Sequence, residues 1–129
     1  MKPLALSAAA ALLAAGLAAG GEAASFGSAE CLGRATDAAN AVTYTNVCRS
    51  LIHVGRCTSA RGAGEPWSCD HLMYSPGESF SVAGDRVVKI RACRADLGNC
   101  VRAVRCIGDS RAATETAVLA AAAKCGVEF

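Results

Sequence analysis

Eight cysteines in a chain of 129 residues constrain this sequence more than any other feature: Cys31, Cys48, Cys57, Cys69, Cys93, Cys100, Cys106 and Cys125. The number is even, no Cys-x2-Cys pair occurs, and His53 and His71 sit in no zinc-finger spacing. The set therefore reads as four structural disulfides, not as a metal centre. Such bridges persist in oxidising compartments. An even count also leaves no odd thiol for nucleophilic chemistry.

The amino terminus agrees with export. Met1-Lys2 is a short basic start, residues 4–19 are an unbroken run of apolar and small residues, and Gly20-Gly21 follows. A charged start, an apolar run and small residues at the cleavage positions describe a secretory signal peptide. Residues 1–24 are thus expected to be the leader, and residues 25–129 one disulfide-stapled domain, secreted or periplasmic. The apolar run falls short of the roughly 20 residues that span a bilayer, so no stable membrane insertion is expected after cleavage. Ser28-Ala29-Glu30 before Cys31 is not a lipobox.

A domain this small has a thin core, which bridges supplement by about 2–4 kcal/mol each. With 13 Lys and Arg against 11 Asp and Glu the net charge is +2. That is too weak a basic bias to imply a nucleic-acid partner.

The patterning predicts a mainly β fold: a small disulfide-rich antiparallel sheet or sandwich with one C-terminal α-helix. Residues 41–48 are β-branched and aromatic, as strands favour, and residues 51–57 are expected to pair with them as a hairpin. Residues 58–69, rich in Gly and polar groups and containing Pro66, read as an exposed loop. Ser75-Pro76-Gly77-Glu78 has type II turn chemistry. The strands on either side of it, and the longer strand at residues 86–94, are expected to pair sequentially. Asp96-Leu97-Gly98-Asn99 reads as a further turn, with residues 100–107 returning as a strand. Placing Cys93 opposite Cys100 puts Arg91 opposite Arg102 and leaves Lys89 on the same face. Asp109 or Ser110 can cap a helix through residues 114–124, stopped by Gly126 in the left-handed conformation. Cys93 to Cys100 is one candidate local bridge, and the connectivity of the eight cysteines stays open.

Two surfaces stand out as candidate binding sites. Lys89, Arg91 and Arg102 would form a basic patch for an anionic glycan or an acidic protein loop, although opposed arginines repel unless an anion intervenes. Trp67 is either an exposed binding anchor or, in a chain with few aromatic groups, a lid on the core. His53 and His71 would supply acid–base chemistry only if their strands meet. No nucleophile elbow surrounds a serine, and no cofactor motif or metal-ligand spacing is present. The first functional reading is an exported binding module with a protein or anionic glycan partner. The alternatives are a small secreted hydrolase working through His53 or His71, and an inhibitor whose loop at residues 58–69 plugs a lysozyme or protease.

Overall fold

The structure, a computed structural model, describes residues 31–129; the expected signal peptide lies outside them. Six strands and two helices follow one another: β1 (Leu32–Thr36), β2 (Val42–Asn46), β3 (Ile52–Ala60), β4 (Trp67–Tyr74), β5 (Ser79–Val82), β6 (Arg86–Arg94), α1 (Gly98–Gly108) and α2 (Glu115–Cys125). The strands form two antiparallel three-stranded sheets, ordered β1-β2-β5 and β4-β3-β6. The expected mainly β fold with a C-terminal helix is what forms. Among the described residues no helix is long and apolar enough to cross a membrane.

Three layers result. Between the sheets lie Leu32, Tyr44, Ile52, Val54, Val82, Ile90 and Ala92, all buried. Phe80 of β5 stacks on Tyr44 and on Tyr74 of β4, with centroids 5.1 and 4.8 Å away, and Arg56 lies over its ring. The other face of β4-β3-β6 is covered by the helices, around Cys57, Trp67, Ile107, Val118, Ala122 and Val127. A sheet covered on both sides needs a central strand buried on both faces, which is the pattern of β3.

Side chains alternate across a strand, so His53, Gly55, Cys57 and Ser59 point to the helices while Ile52, Val54 and Arg56 point to the other sheet. Gly55 is where α1 comes closest: a Cβ there would fall on the Val104 carbonyl oxygen and within 2.8 Å of Ile107 Cγ2.

All eight cysteines are paired, Cys31–Cys48, Cys57–Cys69, Cys93–Cys100 and Cys106–Cys125. The first ties β1 to the segment after β2, the second links opposed residues of β3 and β4, the third joins β6 to α1, and the fourth joins the helices. A small disulfide-rich module of this kind belongs to an oxidising, extracellular type of compartment.

Several sequence expectations are corrected. Residues 100–107 form α1, not a strand: Cys100, Val104 and Ile107 recur at helical spacing and are the positions buried, so the 3.6-residue period prevails over apparent alternation. Arg102 therefore does not oppose Arg91, whose cross-strand partner is Gly55. Strands β2 and β3 do not pair. The chain crosses between sheets after Asn46, whose side chain bonds the Ser50 and Tyr74 carbonyls. Sequential pairing fails for the same reason, since β5 returns to β2 and β6 to β3. Residues 58–69 form the end of the β3–β4 hairpin, half of them in its strands and residues 61–66 in its connecting loop.

The turn and the last helix form as expected. Glu78 N–H donates to the Ser75 carbonyl at 3.0 Å around Gly77 at φ 84°. Gly126 stops α2 at φ 76°. Its N-cap, however, is Thr114, whose Oγ1 accepts from Ala117 N–H.

Candidate functional site: a basic groove and a histidine pair

Strand β6 presents Val87, Lys89, Arg91 and Cys93 to the helical side, because their β3 partners are the helix-facing residues Ser59, Cys57, Gly55 and His53. Lys89 and Arg91 thus share a face. Together with Leu119, Ala122 and Ala123 of α2 and with Val127, Glu128 and Phe129 they line an open groove of about 960 Å3. The apolar wall is wet: Leu119 is 51% exposed and Phe129 36%. Lys89 Nζ is 5.7 Å from the Trp67 ring centroid and 3.7 Å from Glu115 Oε2. Trp67 itself is buried beneath it, in the lid position.

Of the residues singled out in the sequence, Trp67, Lys89 and Arg91 are brought together. Arg102 is not among the groove residues. It is exposed on α1, where its guanidinium donates to Asn99 Oδ1 one turn back. Leu119, Val127 and Phe129 were missed by sequence reasoning. No local sequence signal marks them, because their exposure and their meeting at the groove follow from how α2 and the C-terminal residues pack.

The second constellation lies on β3 and β4, across the same sheet face from β6. His53 of β3 and His71 of β4 are diagonal neighbours in the register. His53 Nδ1 and His71 Nε2 share a hydrogen bond of 2.9 Å, and the rings stack with centroids 5.1 Å apart. The meeting of strands that the sequence left open does occur. Helix α1 ends against His71: a Cβ on Gly108 would come within 2.6 Å of the His71 Cβ. Burial pushes both imidazole pKa values below the ordinary 6.5. His71 and Arg105 add to the lowering at His53, and Arg105 does so at His71, where Asp109 and Asp70 pull the other way. Asp70 is itself engaged on the opposite sheet face, taking two hydrogen bonds from Arg56 at 2.8 and 3.2 Å.

A hydrogen-bonded imidazole pair can pass a proton along its shared axis, or hold a cation in that proton's place. Among the described residues no group of three or more His, Cys, Asp and Glu side chains gathers as a metal cage. No family model, curated protein or solved structure matches this chain. Functional argument therefore starts from these two surfaces alone.

Proposed function

We propose that this protein is a secreted or periplasmic binding module that takes an acidic protein segment in the groove between β6 and α2. One observation carries the reading. Two cations from one strand, Lys89 and Arg91, face the same groove as the exposed apolar side chains Leu119 and Phe129. A cation pair alone suits any anion, including a glycan. The apolar wall adds a preference for a peptide that carries a carboxylate beside an apolar side chain, since interface cores combine apolar anchors with a polar rim. The framework is covalently braced, which reduces the ordering cost of binding.

Capture from envelope extract tests this directly. Lys89→Glu plus Arg91→Glu should abolish capture of an acidic protein that the wild type retains, while Arg102→Glu should leave capture unchanged. Equal capture by the groove variant would remove the groove from the argument. Displacement of the wild type by a polyanionic glycan, with no retained protein, would replace the peptide by a glycan.

The hydrolase reading draws on the His53–His71 contact, because one imidazole can orient and polarise the other for general acid–base work. Turnover of a substrate that survives His53→Ala plus His71→Ala would eliminate it. The inhibitor reading has only the short hairpin tip at residues 61–66 to insert into an enzyme.

A further inference from the structure

The histidine pair has a third neighbour that metal-spacing rules overlook. Met73 follows His71 by two residues on β4 and so shares its face. It is also the direct cross-strand partner of His53. Opposed side chains on one face of an antiparallel pair have Cβ atoms about 5 Å apart, within easy reach of a flexible thioether. Met73 is 55% exposed, an unusual position for a residue whose alternative is core packing. It is also the only methionine after Met1.

We propose that His53, His71 and Met73 form a binding site for monovalent copper. The nitrogen separation fits a chelate. With metal–nitrogen bonds of about 2.0 Å, two ligands at a tetrahedral angle stand about 3.3 Å apart, so the 2.9 Å hydrogen-bonded pair need open only slightly to exchange its proton for an ion. The thioether decides which ion: soft sulfur ligands select Cu(I), whereas hard divalent ions prefer oxygen. Every cysteine is held in a disulfide, so no thiolate competes. Arg105 opposes cation binding at both rings, and Asp109 and Asp70 offset it at His71. The carbonyl end of α1, against His71, adds a favourable dipole. This site is separate from the β6–α2 groove and stands or falls without it.

The chain contains two histidines and, past the leader, one methionine, so each ligand gives a distinct NMR signal. Purified oxidised protein is titrated with Cu(I) under ascorbate, which spares the disulfides, in competition with a chromophoric Cu(I) chelator. One equivalent should be withdrawn from the chelator, with both imidazole spin systems and the Met73 methyl shifting together. Met73→Leu, on an exposed side chain, should keep the fold and weaken Cu(I) retention at least tenfold, while leaving any Zn2+ uptake unchanged. Three results would each overturn the proposal: no copper withdrawn, equal retention by Met73→Leu, or copper-induced shifts that leave the two imidazoles and the methyl in place.

Discussion

His53 Nδ1 lies 2.9 Å from His71 Nε2, a hydrogen bond between β3 and β4 that loses its acceptor once both rings are protonated. Burial, reinforced by Arg105, holds each pKa below 6.5. In the metal-free protein, falling pH therefore loads protons onto the unfolded chain before the folded one. The contribution of the pair is fully present above the ordinary pKa and is lost as pH drops through it towards the lowered values. Denaturant midpoints of chelator-treated protein should fall between about pH 7.5 and about pH 5.5, and His71→Gln should flatten that slope. A wild-type midpoint constant over this interval would refute a neutral buried pair.

Gly55 is the contact point between the central strand and α1. Its added methyl would strike the Val104 backbone oxygen and Ile107, and a helix backbone cannot yield as a side chain can. Gly55→Ala should destabilise the fold by about 3 kcal/mol, at the upper end of overpacking effects. Gly126→Ala meets no atom within 4 Å but is strained at φ 76°, and should lose only about 1 kcal/mol. Equal losses in urea denaturation would mean that α1 does not press on β3 as described.

These two glycines also mark what the sequence makes legible. Gly126 follows an alanine-rich helical run and Gly77 follows a proline, so local chemistry announces each. Nothing local announces Gly55, whose role is set by a helix about fifty residues downstream. The same divide runs through the fold. Strand content, the Pro76-Gly77 turn, α2 and the Cys93–Cys100 bridge were readable because each rests on neighbours in sequence. The hairpin expected of β2 and β3 fails because two sheets compete for the same strands, and strand pairing over long separations leaves no local mark. At residues 100–107 the arginines fall at 102 and 105, three apart, which puts them on one side of a helix but on opposite faces of a strand, so the spacing carried a signal against alternation that the β-branched residues masked. For the candidate sites, Lys89 and Arg91 were visible as strand neighbours. The apolar wall and the His53–His71–Met73 grouping required the fold.

The Cys106–Cys125 bridge fixes α2, whose buried residues are only Val118 and Ala122. A helix with so small a buried stripe depends on its covalent tie. Replacing both cysteines with serine releases a loop spanning 19 residues, which should lower stability by about 3 kcal/mol. Limited proteolysis should then cut first beyond Gly108, leaving the two sheets intact. Uniform cleavage along the variant, or an unchanged digestion pattern, would show that α2 is not held in this way.

Asn46 joins the two sheets at the point where the chain leaves the first. It is 2% exposed. Its Nδ2 donates to the Ser50 and Tyr74 carbonyls at 2.9 and 3.0 Å, and its Oδ1 accepts from Cys48 N–H at 2.9 Å. Those three bonds fix which way the amide points. Asn46→Ala strands two carbonyls and an N–H in a part-buried place, for a loss of about 2–4 kcal/mol. Asn46→Asp should be worse near neutral pH, because a carboxylate oxygen would then face two carbonyl oxygens. The carboxyl group would have its pKa raised by those neighbours and by burial. Protonation restores one donor, so the gap between the aspartate and alanine variants should narrow as pH falls through that raised value. Comparing the variants at each pH cancels the histidine contribution common to both, and a gap that stays constant with pH would mean that Asn46 does not present its amide nitrogen to Ser50 and Tyr74.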